Sequence, residues 1–328
     1  MALPFHKANQ LGGATGDNNC YTSLVDYYLS RDWRHTVIGG IRALFRLLYF
    51  AAVFAAGSVF ALAARAILPI STFRRLRPLL ARKLGRTLLY ASNIRIRHEG
   101  TPPNPGSLIV SNHLSWADSF TYLGELGCRF LANHLYGQIV GFGAILRSVG
   151  VSFINRMSLR ALGSARQMAR RILRSGDSLL LFPEGRTSRG EGIRPFRAAI
   201  LQVAVDLGLP VSWAAVRYET PKGWPPASVV VGWEEWPPLL THIYRAFHAP
   251  RIICRIRYGH GCIDGEDRRS LAETLHAAVS YYFEPMEQLA REALQRIDVL
   301  KKVSRPLVYG DTASTGGDPL KAKTEATL

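Results

Sequence analysis

Ser107-Leu108-Ile109-Val110-Ser111-Asn112-His113-Leu114-Ser115-Trp116-Ala117-Asp118 is the stretch that decides the fold. Its first five residues are three apolar ones between two serines, and they follow a Pro-rich loop, Thr101-Pro102-Pro103-Asn104-Pro105-Gly106. That pattern predicts a buried strand over 107–111. Ser115 followed three residues later by Asp118 has capping-box spacing, which predicts a helix over 117–126. A strand that runs into a helix start is how a parallel α/β sheet is built.

The alternation continues downstream. Strands are expected at 94–97, 151–154, 178–182, 211–216, 228–231 and 251–258, and helices at 159–175 and 198–207, the latter closed by Gly208. A long closing helix is expected over 267–296. The predicted class is α/β, a largely parallel sheet flanked by helices, occupying 91–300. Residues 1–35 read as a polar N-terminal segment without a leader peptide, and 301–328 as a disordered tail.

Upstream, Leu47 to Ala64 carries no charge and lies between Arg46 and Arg65. At about 1.5 Å per residue its length is near the lower limit for crossing a bilayer. Arginines stand on both sides, so a single span and a helical hairpin half-sunk in one leaflet are both open. We therefore expect a membrane-associated helical region over 36–90, with the basic residues from Arg74 to Arg86 against anionic headgroups. The alternative is a buried helix of a soluble core.

The bulk numbers agree with a globular domain plus an attachment. The chain has 328 residues, 48% of them hydrophobic, enough for a core but short of a polytopic membrane protein. The formal net charge of +17 calls for an anionic partner, and an anionic membrane surface fits the placement of the arginines. A nucleic-acid partner is not expected, because no recognition motif accompanies the charge. The four cysteines, Cys20, Cys128, Cys254 and Cys262, form no C-x-x-C pair and read as reduced thiols.

Three strand ends deliver polar groups. The first gives His113, with Asp118 five residues on. A carboxylate beside a histidine holds it in one tautomer and stabilises the imidazolium, which makes a general base able to activate a hydroxyl. Asp118 also has a purely structural reading, as the helix cap. The second, Gly150-Val151-Ser152-Phe153-Ile154-Asn155-Arg156, delivers an arginine. The third, Leu179-Leu180-Leu181-Phe182-Pro183-Glu184-Gly185-Arg186-Thr187-Ser188, releases a loop able to bind an anion beyond the strand.

In this order the three stretches resemble the glycerolipid acyltransferase superfamily that includes 1-acylglycerol-3-phosphate acyltransferases. Asn112-His113 through Asp118 is similar to its N-H-x-x-x-x-D motif, Gly150 to Arg156 to its second motif, and Phe182 to Gly185 to its F-P-E-G motif. Arg194-Pro195-Phe196-Arg197 and Leu209-Pro210-Val211 resemble two later elements, and the likeness covers roughly 90–285. One departure is the order Arg186-Thr187-Ser188, where the family commonly has threonine first.

The resemblance implies a membrane-associated O-acyltransferase of phospholipid biosynthesis. His113 would be the base and Asp118 its orienting partner. Arg156, Glu184, Gly185, Arg186, Thr187 and Ser188 would bind the acceptor. The donor would be acyl-CoA or acyl-carrier protein, with no cofactor and no metal. The acceptor would be lysophosphatidic acid, or alternatively a lyso-ornithine lipid or another lysophospholipid. The expected location is a membrane, catalytic domain toward the cytoplasm, as at a bacterial inner membrane. A catalytically inactive lipid-binding protein is the competing class.

Overall fold

The computed structural model describes residues 33–138, 143, 146–147, 150–154, 159–222, 224–234 and 239–287. They fall within one compact unit, Ser23–Ala290. Two helices come first: α1 (Trp33–Ile67) and α2 (Ile70–Ala91). Then follow β1 (Ile94–Glu99), β2 (Leu108–Ser111), α3 (Trp116–Leu126), β3 (Arg129–Asn133), α4 (His134–Gln138), β4 (Val151–Ile154), α5 (Leu159–Arg174) and β5 (Leu179–Leu181). The chain continues with α6 (Ala198–Leu207), β6 (Val211–Glu219), α7 (Ala227–Val230), α8 (Leu239–His248), β7 (Ile252–Tyr258) and α9 (Arg268–Tyr282).

The strands form one seven-stranded sheet in the order β1-β7-β6-β2-β5-β3-β4. The pair β6–β7 is antiparallel and the other neighbours are parallel. The central strands β2 and β5 are buried throughout, as expected of strands covered on both faces. From β2 the chain crosses to β3 on one side, and from β5 to β6 on the other. The crevice beyond the carboxyl ends of β2 and β5 is therefore the topological switch point, where open α/β sheets place their ligands.

Two expectations are corrected. Residues 228–231 are not a strand: Ala227–Val230 is a short helix. Pro226 sets its start with φ −60°, and its carbonyl accepts the N–H groups of Val229 and Val230. Four buried residues, three of them apolar, carry no period of their own, so the run read equally well as a strand. The closing helix is also shorter than expected. Asp267 caps it by accepting from the Arg269 and Ser270 N–H groups, but it ends at Tyr282. Pro285 disfavours helical backbone at Glu284, and Phe283 is already extended. The chain then returns to the core, where Met286 is buried and its N–H donates to Gly190 O. The remainder of that expected helix, the N-terminal segment to residue 32 and the tail from 301 lie outside the described residues.

The run Val37–Ile67 is long and apolar enough to cross a membrane by length and composition, and little of it is buried. One stripe, Ala43, Phe54, Ser58 and Ala61, packs inward. Leu47, Phe50 and Val53 are half-buried beside it, while Ile38, Ile41, Phe45, Leu48, Val59 and Phe60 are exposed. Arg42 and Arg46, expected to flank a membrane segment, instead cap α8. Arg46 Nη1 donates to Phe247 O at 2.9 Å and Ala249 O at 2.6 Å, and Arg42 Nη2 to His248 O at 2.9 Å. Cations are favoured there because the last carbonyls of a helix lack partners. Helix α2 crosses α3 at two glycines: a Cβ on Gly85 would sit 2.4 Å from Gly124 N.

Candidate active site

Asn112 begins the site. The strand ladder of β2 ends at Ser111, and the Asn112 side chain extends it by one rung. Its Nδ2 donates to Val216 O at 2.9 Å, and its Oδ1 accepts from Val216 N at 2.7 Å. This fully buried amide fixes the backbone from which the next residue projects. Sequence reading assigned Asn112 no role of its own.

His113 and Asp118 are brought together. Nδ1 of His113 lies 2.7 Å from Asp118 Oδ2. An ionised carboxylate only accepts, so Nδ1 carries the proton and Nε2 keeps its lone pair. Among the described residues, Nε2 has no hydrogen-bond partner, and the side chain is 17% exposed. The imidazole stacks on Phe182 with ring centroids 4.0 Å apart and 8° between planes. One wall and one hydrogen bond thus fix its orientation.

The two readings of Asp118 turn out to be one. Its Oδ2 also accepts from Leu114 N at 2.6 Å and Ser115 N at 2.9 Å, which closes the capping box with Ser115. Its Oδ1 accepts from Tyr218 Oη at 2.7 Å. The carboxylate is fully buried, and backbone and phenol donors stabilise its charge. Tyr218 comes from β6 and had no signal in the sequence.

The loop after β5 lies against this turn. Glu184 Oε1 accepts from His113 N at 2.6 Å and Oε2 accepts from Arg194 N at 3.0 Å. Ser188 N donates to His113 O at 3.0 Å. Glu184 is 3% exposed, and burial raises its pKa above the ordinary carboxylate value while the two N–H donors work in the opposite direction. The structure thus places Glu184 as a brace beneath the histidine. Thr187 and Ser188 are also buried: Thr187 O accepts from Arg194 Nη1, and Ser188 Oγ from Gly190 N. Gly185 makes the turn at φ 77°, a region that favours glycine. Arg186 is exposed beside it. The Arg197 guanidinium lies where a Gly185 Cβ would be, 2.9 Å from that point. Arg156 lies outside the described residues.

An aromatic cluster joins the site to α1. Phe50 meets Trp116, the first residue of α3, edge-on at 6.3 Å, and also meets Phe120 and Phe247, each at 5.5 Å. The helix that carries Asp118 therefore rests on the apolar helix.

Comparison with known proteins agrees with this geometry. A family model described as Acyltransferase matches residues 93–216, which hold the dyad and the 182–188 loop. The chain is 31% identical over 206 residues to a 1-acyl-sn-glycerol-3-phosphate acyltransferase of Neisseria meningitidis serogroup B, covering 60% of this chain and 78% of that one. It is also 31% identical over 218 residues to a lyso-ornithine lipid O-acyltransferase of Pseudomonas aeruginosa, covering 65% and 81%. The crystal structure of the 1-acyl-sn-glycerophosphate (LPA) acyltransferase PlsC from Thermotoga maritima shares the fold, with a TM-score of 0.54 at 20% identity, covering 76% of this chain and all of that one. The chain belongs to the glycerolipid acyltransferase superfamily and is an acyltransferase.

Proposed function

We propose that the protein transfers a fatty acyl group from a thioester to the free hydroxyl of lysophosphatidic acid, giving phosphatidic acid. The observation that carries the reading is the Asp118-held imidazole with Nε2 open. Nε2 takes the proton of the acceptor hydroxyl as its oxygen attacks the thioester carbonyl. A C–O bond forms, the C–S bond breaks, and the proton passes from Nε2 to the departing thiolate. Asp118 stabilises the imidazolium between these events. The acyl donor is acyl-CoA or acyl-carrier protein, and His113 and Asp118 need no cofactor to move this proton.

A phosphate-bearing acceptor is favoured by cations on the loop after β5. Arg186 is exposed, and Arg197 packs beside the same turn. Their guanidinium groups would fork a phosphate. A lyso-ornithine lipid is the second reading, favoured by the Pseudomonas aeruginosa relative of that name.

The exposed apolar face of α1 supports membrane attachment through the α1–α2 hairpin. Exposed Arg65, Arg74, Arg75 and Lys83 on the same hairpin support a cytoplasmic, anionic leaflet, as of a bacterial inner membrane.

The test is acyl transfer by the detergent-solubilised full chain, wild type beside His113→Ala. Lysophosphatidic acid and a lyso-ornithine lipid are each offered with acyl-CoA and with acyl-carrier protein. Turnover that needs His113 and prefers lysophosphatidic acid is expected. Preference for the ornithine lipid would move the acceptor assignment, and turnover unchanged in His113→Ala would remove the base.

A further inference from the structure

A second concentration of charge lies at the opposite ends of the strands. Arg129 opens β3, Gly150 precedes β4, and Asp177 stands just before β5. From Leu108 to His113 is roughly 16 Å at about 3.3 Å per extended residue, so this edge is a full strand length from the dyad. Between it and the hairpin is a cleft of about 490 Å³, where among the described residues Arg65, Arg74, Arg77, Arg129, Arg147 and Arg171 face a single carboxylate, Asp177.

That carboxylate is already committed. Asp177 Oδ1 accepts from Arg77 Nη2 at 2.7 Å, and Oδ2 from Arg129 Nη1 at 3.4 Å. Among the described residues, the other four arginines meet no acid. Arg65 lies over the Phe73 ring, Arg147 over the Phe153 ring, and Arg171 reaches the Gln167 amide. Arg77 is nine-tenths buried, yet among the described residues its Nε and Nη1 have no hydrogen-bond partner. Buried, unused donors on a cation are costly unless an acceptor arrives. Burial and the neighbouring Arg77 also hold the Arg129 pKa below its ordinary value, as expected where positive charge is in excess. On the hairpin side the cleft is rimmed by Leu62 and Ile70, both exposed and apolar.

We propose that this cleft binds the phosphate of an anionic glycerophospholipid headgroup, at a site separate from acyl transfer, with the lipid tails lying over Leu62 and Ile70. The arginines supply charge and forked donors for the phosphate oxygens. The apolar rim supplies what a free anion would not use. The inference does not depend on which acceptor the dyad acylates.

The experiment is titration calorimetry on the detergent-solubilised full chain. The probes are dihexanoyl phosphatidylglycerol, dihexanoyl phosphatidylcholine and inorganic phosphate. Saturable binding of phosphatidylglycerol is expected, with phosphatidylcholine silent and inorganic phosphate weaker. In Arg65→Gln/Arg74→Gln/Arg171→Gln the binding should weaken by about a hundredfold, at roughly 1 kcal/mol per lost arginine. Ser175→Glu, which removes no arginine but adds an acid at the cleft, should weaken it as well. The control Arg95→Gln/Arg97→Gln/Arg251→Gln removes equal charge from exposed positions elsewhere and should bind as wild type. Equal losses in the control would reduce the effect to diffuse basicity and overturn the site. Inorganic phosphate binding as tightly as the lipid would overturn the headgroup assignment. Unchanged circular dichroism in each variant separates this result from misfolding, and acyl transfer by Ser175→Glu equal to wild type separates it from the acceptor question.

Discussion

Tyr218 and His113 hold opposite oxygens of one buried carboxylate. Tyr218 Oη donates to Asp118 Oδ1 and His113 Nδ1 to Oδ2, each at 2.7 Å. Tyr218→Phe removes one donor and leaves a buried lone pair unmatched, at about 1–2 kcal/mol. The kcat should fall about tenfold while KM for both substrates holds, since the phenol is buried behind Asp118. A kcat equal to wild type would confine Tyr218 to the fold.

Ser115 and Asp118 allow the cap to be separated from the chemistry. Ser115 Oγ accepts from Ala117 N at 3.3 Å, whereas the imidazole bonds to Asp118. Ser115→Ala should lower unfolding free energy by about 1 kcal/mol and leave kcat near wild type. Asp118→Asn loses the charge facing the imidazolium and should lower kcat by a factor on the order of 10²–10⁴. Thermal melts beside steady-state kinetics give both readouts, and parallel losses in the two variants would make Asp118 a cap only.

Glu184 and Arg186 sit two residues apart with opposite expected signatures. Glu184 takes two backbone N–H groups, and a glutamine would turn an N–H₂ toward one of them. Glu184→Gln should therefore shift the His113 backbone and lower kcat by roughly tenfold or more. Arg186→Gln should mainly raise KM for a phosphate-bearing acceptor, as expected for lost uniform binding. A lyso-ornithine acceptor insensitive to Arg186→Gln would confirm that the cation reads phosphate.

His242 makes the fold acid-sensitive. It is buried in α8, and its Nε2 donates to Val231 O at 2.9 Å. Burial first, then the nearby Arg245 and Arg189, pull its pKa down to about 4, against the pull of that hydrogen bond. The folded state thus binds this proton less readily than the unfolded one between pH 6.5 and about 4. Stability rises with pH through that window and is lost as pH falls through it, by as much as about 3 kcal/mol from this group. Urea unfolding of wild type and His242→Gln across the window should show the slope in the first and a flatter profile in the second.

Gly85→Ala tests the crossing of α2 and α3. The new methyl would meet Gly124 backbone, which cannot rotate away. We expect a loss of about 1–3 kcal/mol or more, from overpacking. Ala81→Gly, on the same helix, should cost only about 1 kcal/mol of helix propensity plus a small cavity. Similar melts for the two would mean that the helices part easily.

Much of the frame was legible because apolar runs at β2, β5 and β6 are bounded by turns and paired with helices of clear period. Strand β3 was not, because Arg129-Phe130-Leu131-Ala132-Asn133 has neither a long apolar run nor strict alternation. Helix α8 was also missed: its buried residues Ala246 and Phe247 are matched by α1, some two hundred residues earlier. At the site, His113 and Asp118 were readable because five residues separate them. Tyr218 lies a hundred residues from its partner, and no local pattern connects the two. Glu184 was found for its place in a loop, but its role as a brace depends on two backbone groups that only the fold brings to it. Arg42 and Arg46 were read as membrane flanks because the carbonyls they cap belong to α8, far along the chain.

Gly85 and Gly124 let two backbones touch, and one of those backbones carries Asp118. The apolar hairpin and the helix that aims the imidazole thus meet peptide to peptide at this point, with no side chain between them as a cushion. A push on α2 would reach the Asp118 turn through main chain rather than through groups free to swing aside.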